Sequence, residues 1–160
     1  MRLVRALPSH AKDLKRIHIA AYQKSYRGYL SDEYLDSLSL TDEVIKKTAA
    51  YIEKTEGYLV ETEDGFAGFM YVSSDPDFAD AFEIMAIYVH PDCHKRGVGA
   101  FMVNEMCALK RKEGFTKCIA WTMKYGPSIG FYEKKGFRRV AGKEKIWREM
   151  VPLILFEKDI

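Results

Sequence analysis

The sequence predicts a single α/β domain with a mixed β-sheet, and three observations support this prediction. Short apolar runs alternate along the chain with segments of helical periodicity. Asp64-Gly65 lies between two apolar runs and predicts a β-hairpin. Gly97 and Gly99 begin a helix directly after a buried strand, which is typical of a loop that binds a ligand. The length of 160 residues fits one domain covering residues 1–160.

The first third of the chain predicts one strand followed by three helices. Residues 2–6 favour a strand, and a helix follows whose apolar face carries Leu14, Ile17 and Ala21. A second, short helix follows the break at Gly28, and its N-cap is Ser31 or Asp32. Thr41 begins a third helix, in which the apolar face has the 3.6-residue period and comprises Val44, Ile45, Thr48, Ala49 and Ile52.

The rest of the chain predicts six further strands and two helices. Two strands flank the Asp64-Gly65 turn, and a polar loop at residues 73–77 leads into a longer buried strand over residues 81–91. The glycine-containing helix follows, and Gly114 ends it. Its inward face comprises Val98, Phe101, Met102, Met106 and Leu109. The remaining elements are a strand at 118–123, a helix at 128–135, and strands at 136–142 and 150–158.

Composition and charge narrow the class of protein. The chain is 48% hydrophobic and 30% charged, which is typical of a globular domain. A net charge of +2 gives no bulk electrostatic reason for binding nucleic acid. Basic clusters at residues 94–96 and 110–112 leave a nucleic-acid-binding alternative open, but no recognised nucleic-acid motif accompanies them. We therefore expect no nucleic-acid partner.

The cysteines and the apolar segments suggest a location. Cys93, Cys107 and Cys118 are odd in number and contain no CxxC pair, which favours free thiols in a reducing compartment. The first ten residues lack the apolar core of a signal peptide, and residues 151–156 are too few to cross a bilayer. We therefore expect a cytoplasmic protein with no membrane partner.

The helix that begins with Gly97 and Gly99 predicts a bound phosphate or pyrophosphate. The first N–H groups of a helix have no internal partner and, with the helix dipole, attract anions. Residues 94–96 add further donors and positive charge at this end. The spacing excludes a GxxxxGK[ST] loop, and Met102 stands where a GxGxxG fingerprint needs its third glycine. An ordinary capped helix with a permissive start is the alternative.

Two motifs together resemble the GCN5-related N-acetyltransferase (GNAT) superfamily. IYVHPDCHKRGVGAFMV, residues 87–103, resembles the central motif: a strand, Val-x-Pro, and [Gln/Arg]-x-x-Gly-x-[Gly/Ala] entering a helix. SIGFYEKKGF, residues 128–137, resembles the second motif, a helix carrying Phe-Tyr-Glu-Lys-x-Gly-Phe. The order of elements fits the family over nearly the whole chain. Three positions depart from its pattern: His94 replaces Gln or Arg, Lys95 replaces Gly, and Tyr125 replaces Asn.

The resemblance implies a fold and a co-substrate. The central sheet would splay between the strand before and the strand after the pyrophosphate-loop helix, and acetyl-CoA would occupy that opening without a metal. Its pantetheine would bond to the strand backbone, and its pyrophosphate would rest on the N–H groups of residues 94–99. The implied cofactor-binding residues are Ile87, Tyr88, Val89, His94, Lys95, Arg96, Gly97, Val98, Gly99, Ala100, Ser128 and Phe131.

Acetyl transfer to an amine needs a proton acceptor and is helped by a proton donor for the leaving thiolate. Tyr132 matches a family tyrosine near the CoA sulfur and is the implied acid; aromatic packing is the alternative. Glu83 matches a glutamate that many members use as a base, directly or through water; a charge at the exposed end of the strand is the alternative. His90 is a weaker candidate. A Cys93-His94 hydrolase is disfavoured because adjacent residues on a turn point apart.

The resemblance implies an acceptor site formed by the first two helices and the loop between the last strands. Residues 21–30 supply Tyr22, Tyr26 and Tyr29, whose rings and hydroxyls suit an amine. Core packing is the alternative for these rings. Asp32, Glu33 and Asp36 could attract a basic acceptor or form a solvated helix face.

The predicted function is direct transfer of an acetyl group to a primary amine. The acceptor could be a protein or peptide N-terminus, a lysine, a polyamine or another small amine, and a homodimer is a family-level expectation. The alternative is a non-catalytic regulatory module that binds acyl-CoA on the same fold.

Overall fold

A computed structural model describes residues 1–74, 79–147 and 151–160. The strands are β1 (Arg2–Arg5), β2 (Glu56–Thr62), β3 (Gly65–Ser74), β4 (Ala81–Val89), β5 (Lys117–Met123), β6 (Arg138–Trp147) and β7 (Val151–Asp159). The helices are α1 (Ala11–Ser25), α2 (Asp32–Ser37), α3 (Asp42–Lys54), α4 (Val98–Lys112) and α5 (Ile129–Lys134). Parts of the predicted loop at 73–77 and of the predicted strand at 150–158 lie outside the described residues, namely 75–77 and 150.

The strands form one open, mixed sheet, as the sequence predicts. Their order is β1-β2-β3-β4-β5-β7-β6. β1, β2 and β3 run antiparallel, β4 and β5 run parallel, and β7 pairs antiparallel with β5 and β6. The chain packs as two compact units: Met1–Val72 with Ala86–Met102, and Ser73–Met85 with Val103–Ile160. We call these the first and second units.

Local turn and cap chemistry follows the sequence closely. The Ser31 hydroxyl accepts a hydrogen bond from the Tyr34 N–H at the start of α2, and the Thr41 hydroxyl accepts one from the Val44 N–H at the start of α3. Each side chain thereby satisfies one of the unpaired N–H groups at a helix N-terminus. Gly65 has φ +107° in the β2–β3 turn. The predicted hairpin and the predicted helix start at Thr41 are confirmed, and of the two cap candidates for α2 it is Ser31 that caps the helix.

In the first unit, α1 and α3 cover the β2–β3 hairpin. The fully buried side chains include Leu14 and Ile17 of α1, Leu59 of β2 and Phe69 of β3. Tyr71 joins this core with 7% of its surface exposed. Its hydroxyl is buried and has no hydrogen-bond partner among the described residues.

In the second unit, β5 contributes to two packed faces. Ala81, Ile119 and Leu155 form a buried cluster on one face, with Trp121 packed against it. Cys118 alternates to the other face, where its thiol meets Cys107 of α4. Both are buried free cysteines.

β6 is longer than the predicted strand at 136–142, because it continues to Trp147. Half of its ten residues are exposed charged residues, so the apolar alternation that identifies a buried strand is missing. It is an edge strand, and its register shifts between Arg139 and Glu144 around Gly142, which has φ +71°. Charges and a bulge are typical of exposed sheet edges.

None of the helices in the described ranges is both long and apolar enough to cross a membrane.

Candidate active site

The loop between β4 and α4 is held by hydrogen bonds at its start. The His90 N–H donates to the Ala67 carbonyl of β3 at 2.8 Å, and the His90 ring accepts from the Asp92 N–H at 3.4 Å. The His94 N–H donates to the Pro91 carbonyl at 3.1 Å. The His94 Nε2 lies 3.1 Å from the Val89 carbonyl oxygen, to which it must donate. Both His94 donors are therefore used inside the loop.

Two residues later in the loop adopt the left-handed backbone conformation. Lys95 has φ +61° and Gly97 has φ +80°. Within residues 1–74, 79–147 and 151–160, no atom beyond the chain neighbours of Gly97 lies within 4 Å of the position that a Cβ on Gly97 would occupy. Helix α4 begins at Val98, and the Phe101 N–H donates to the Gly97 carbonyl at 2.9 Å. The N–H groups of residues 98–100 come before this first helical hydrogen bond and therefore have no acceptor within the helix.

This loop fits an anionic group. Gly97 leaves open space beside the backbone, and the exposed Lys95 and Arg96 bring positive charge to the N-terminal end of α4. Val98 is buried and anchors the first turn of the helix. The sequence prediction of a glycine-containing helix start is confirmed.

Gly68 of β3 is a residue that the sequence prediction missed. A Cβ at this position would lie 2.9 Å from the Tyr88 carbonyl oxygen and 3.2 Å from a Val98 side-chain carbon. Only a glycine allows β3, β4 and the start of α4 to pack this closely in the first unit. A Gly inside an apolar strand is the sequence signal for such an approach.

Two of the three predicted acceptor tyrosines come together. They are joined by Tyr88, which was predicted to bind the cofactor through its backbone, and by His18, which was not predicted. The Tyr22 ring lies 4.7 Å from Tyr26 and 5.4 Å from Tyr88 between centroids, and the His18 ring lies 4.4 Å from Tyr22. The hydroxyl oxygens of Tyr26 and Tyr88 are 3.4 Å apart. Tyr29, by contrast, is 45% exposed.

The hydroxyls of Tyr26 and Tyr88 stay protonated in the neutral range. Burial raises the pKa of Tyr88 well above its usual value and also raises the pKa of Tyr26. The Lys15 ammonium lies 3.2 Å from the Nδ1 of His18, and burial lowers the pKa of Lys15. Tyr26 and Tyr88 therefore offer ring faces and hydroxyl lone pairs rather than a base.

The turn between α1 and α2 is fixed by Arg27. Gly28 has φ +82°, and the Arg27 guanidinium contacts the carboxylates of Asp32, at 3.0 Å, and Asp36. The two acidic side chains are thus paired within the chain, and all three side chains are largely exposed. Pairing with Arg27 explains these acidic residues without a basic acceptor.

The second unit contains Glu83 and Tyr132, the two predicted catalytic residues. Glu83 is half-buried on β4 and stands opposite Ile119 of β5 in the parallel ladder. Tyr132 is only 4% exposed. Its ring stacks on Phe156 at 5.9 Å and meets Phe137 edge-on at 5.2 Å, so its orientation is fixed by packing.

Ser128 and Phe131 lie at the start of the same short helix. The Ser128 carbonyl accepts hydrogen bonds from the N–H groups of Phe131 and Tyr132, each at 3.1 Å. The Phe131 ring is half-buried and 5.3 Å from Tyr132. The second motif thus forms one packed element, as predicted. Across the described ranges there is no group of three or more side chains placed to hold a metal ion.

Comparisons with known proteins agree with this architecture. The sequence model of the Acetyltransferase (GNAT) family matches residues 11–137. A Bacillus subtilis (strain 168) protein, "Uncharacterized N-acetyltransferase YuaI", is 25% identical over 135 residues, which are 81% of this chain and 76% of that protein.

Solved structures share the fold over the full length of the chain. The PaiA N-acetyltransferase from Thermoplasma acidophilum in complex with coenzyme A has a TM-score of 0.80 at 16% identity, covering 99% of this chain and 98% of its own. A ribosomal-protein-alanine N-acetyltransferase from Brucella melitensis has a TM-score of 0.74 at 16% identity, covering 100% of both chains. These likenesses concern the fold.

Proposed function

Since the chain belongs to the acetyltransferase (GNAT) family and is an acetyl-CoA-dependent N-acetyltransferase, we propose that it passes the acetyl group directly to a primary amine. The acceptor is a protein or peptide N-terminus, a lysine, a polyamine or another small amine. The free thiols of Cys93, Cys107 and Cys118 support a reducing compartment such as the cytoplasm.

The observation that carries the proposal is the pair of left-handed residues, Lys95 and Gly97, immediately before α4. They turn the backbone so that the first N–H groups of the helix are available to an anion. We assign the pyrophosphate of acetyl-CoA to the N–H groups of residues 95–100, since the His94 N–H is already bonded to Pro91. The Lys95 and Arg96 side chains supply compensating charge.

The remaining contacts follow the family pattern. The backbone of Ile87, Tyr88 and Val89 would hold the pantetheine arm, and Ser128 and Phe131 would line the co-substrate. Acetyl-CoA supplies an activated thioester when it is bound. This chain supplies orientation, polarisation of the thioester carbonyl by the N–H near Ile87, and the two proton transfers.

Glu83 and Tyr132 would make those proton transfers. The acceptor enters as an ammonium, and the Glu83 carboxylate takes a proton from it, directly or through a water, so that the nitrogen lone pair becomes available. Tyr132 donates its phenolic proton to the departing thiolate. The nitrogen attacks the carbonyl carbon as the C–S bond breaks, and the second proton that it loses on becoming an amide returns through solvent to the Tyr132 phenolate. Solvent then removes the proton held by Glu83. The packing of Tyr132 between aromatic rings supports a fixed donor position.

We propose that Tyr22, Tyr26 and Tyr88 form one wall of the acceptor site. Their hydroxyls lie together, and hydroxyl oxygens have more lone pairs than protons, so a hydrogen-bonded cluster retains acceptor capacity for an amine. Tyr29 would be peripheral because its side chain is exposed.

An acceptor panel tests the proposal. Spermidine, a lysine-containing peptide with a blocked N-terminus, and a lysine-free peptide with a free N-terminus are each incubated with acetyl-CoA. Thiol release is recorded, and CoA binding is measured calorimetrically in parallel. Turnover with one class of amine supports the proposal and names the acceptor. CoA binding without turnover on a broad panel would favour the non-catalytic acyl-CoA-binding module instead.

A further inference from the structure

One face of the sheet in the second unit carries both Glu83 and Trp121. Glu83 stands opposite Ile119 in the β4–β5 ladder, and paired residues in a sheet point to the same face. Trp121 follows Ile119 by two positions, so it shares that face. The cluster that packs Trp121 against Ala81, which is two residues before Glu83, agrees with this placement.

Trp121 also lies one position beyond the described end of that ladder. The parallel register runs from the Ala81–Lys117 pair to the Ile84–Ala120 pair. Trp121 is half-buried, so its indole keeps part of its surface in solvent beside the proposed base. Met85, on the same face of β4 as Glu83, is 45% exposed.

A primary ammonium already lies over this indole. The Lys145 Nζ is 4.3 Å from the centroid of the Trp121 ring. Lys145 pairs with Leu153 of β7, which in turn pairs with Met123 of β5, so the register places Lys145 on the Trp121 face. It lies on the exposed edge strand β6, three residues after Gly142.

We propose that the Trp121 indole face binds the ammonium group of the acceptor and that Lys145 occupies this face as an internal competitor. An indole is the best of the aromatic faces for an ammonium. The proposed base Glu83, on the same face, would receive the proton from an amine held there. This inference rests on the proposed function, because it assumes that the acceptor is an amine. The binding of an ammonium to the indole can nevertheless be measured without any turnover.

The role of Lys145 follows from charge and reach. A lysine has a flexible stem and a strongly hydrated head, so it can leave the indole for water at small cost. An acceptor ammonium and the Lys145 ammonium cannot share one ring face, because like charges at contact distance repel. Lys145 therefore weakens the binding of every cationic acceptor to the indole face. The effect is strongest for acceptors that make no second contact with the protein.

Titration with tetramethylammonium chloride tests the site directly. This cation binds aromatic faces and cannot be acetylated. The chain has two tryptophans, so a ¹⁵N–¹H spectrum contains two indole N–H signals, which a Trp147→Phe variant assigns. We expect the Trp121 signal to shift saturably and the Trp147 signal to remain in place. Lys145→Met should tighten binding about threefold to fivefold, whereas Lys145→Arg, which keeps a cation on the ring, should not tighten it.

A matched control is Lys158→Met. The Lys158 ammonium also lies over an aromatic ring, 5.9 Å from the centroid of Phe137. Its neighbour Glu157 pairs with Ile119 and so lies on the Trp121 face. Lys158, one position later on the strand, therefore points to the opposite face. It should leave the tetramethylammonium affinity unchanged. Equal shifts of both indole signals, or an unchanged affinity in folded Lys145→Met, would overturn the inference.

Kinetics separate this inference from the proposed function. With spermidine, or another amine from the panel that the wild type acetylates, Lys145→Met should lower the acceptor KM about threefold to fivefold with little change in kcat. The effect should vanish in a Trp121→Leu background, or in Trp121→Met if the leucine variant does not fold, because neither side chain has an aromatic face. A KM that falls equally with and without Trp121 would reject the indole site while the acetyltransferase function stands. Indole binding without turnover of any amine would reject the function while the site stands.

Discussion

The His94 imidazole donates a hydrogen bond from Nε2 to the carbonyl oxygen of Val89, 3.1 Å away, and so ties the loop before α4 to the end of β4. The family resemblance implies that His94 donates to the pyrophosphate in place of the family's Gln or Arg. In the structure, the ring instead donates to the backbone carbonyl of Val89. A neutral imidazole is sufficient for this bond, so the loop does not require a charged histidine.

We therefore expect His94→Ala to loosen the loop. Loss of one hydrogen bond of about 1 kcal/mol should weaken CoA binding roughly fivefold, because the loop must be ordered at the time of binding. His94→Gln retains a side-chain donor and should lose less. Calorimetric titration with CoA measures both. An alanine variant with wild-type affinity would show that the loop is held by its backbone bonds alone.

Gly97→Val should weaken CoA binding at least tenfold, about 1.4 kcal/mol. A β-branched residue is strained at φ +80°, and its side chain would fill the open space beside the helix N-terminus. The control is Gly142→Val, since Gly142 has φ +71° on β6 with open space around it. Both variants should lose stability, but only the first should lose CoA affinity. Equal CoA affinities in the two folded variants would exclude the loop from the site.

Tyr132→Phe keeps the packed ring and removes the phenolic proton. If Tyr132 is the acid, kcat should fall roughly 100-fold while the affinity for CoA stays close to that of the wild type. Because the ring contacts with Phe137 and Phe156 are retained, the variant should remain folded, which circular dichroism checks. Wild-type turnover in this variant would mean that the thiolate leaves without a donor and that Tyr132 serves packing.

Glu83→Gln should remove one ionisation from the acidic limb of the kcat/KM profile and lower the rate at neutral pH. The physical reason is that a carboxylate must be deprotonated to act as a base, whereas an amide cannot accept the proton. CoA affinity should be unaffected. The same acceptor must be used for both enzymes, because the amine contributes its own rising limb. Superimposable profiles with equal rates would assign proton removal to water or to the amine's own equilibrium.

Tyr71→Phe should stabilise the folded chain. The buried Tyr71 hydroxyl has no partner among the described residues, so its removal should raise the free energy of unfolding by about 1 kcal/mol. Urea unfolding at pH 7 measures this. Tyr51→Phe is the control, since Tyr51 packs edge-on against Tyr71 but is 46% exposed. A destabilised Tyr71→Phe would mean that the hydroxyl finds a partner in solution.

The difference in unfolding free energy between Tyr71→Phe and the wild type should also depend on pH. Burial raises the pKa of Tyr71, so the folded chain holds this proton more tightly than the unfolded chain does. The resulting stability is fully present below about pH 10, the unfolded value, and is lost as the pH rises above it. The gap in stability between Tyr71→Phe and the wild type should therefore widen between pH 9 and pH 11.

Elements governed by local chemistry could be predicted from the sequence. Ser31 and Thr41 cap helices, and the Asp64-Gly65 turn forms a hairpin, because each outcome depends on residues a few positions apart. The helix start at Gly97 belongs to the same class. The roles of Glu83 and Tyr132 came from a resemblance to a family and not from spacing.

What the sequence could not supply depends on residues that meet only in the fold. His18 and Tyr88 are 70 positions apart, yet their rings lie 5.2 Å apart, and no periodic pattern marks that contact. Lys145 meets Trp121 because two strand registers bring them together. The full length of β6 was missed because an exposed edge strand needs no apolar alternation.

The antiparallel pairing of β1 with β2 determines when the N-terminal strand can form. Arg2 stands opposite Glu61, 59 positions away, with three helices between them. Closing a loop of that length costs on the order of 3 to 4 kcal/mol of chain entropy, far more than the tight turn between β2 and β3 requires. The β2–β3 hairpin is therefore expected to form before β1 pairs with β2. During synthesis β1 stays unpaired until Glu61 has left the ribosome, so it joins the sheet only after β2 has been made.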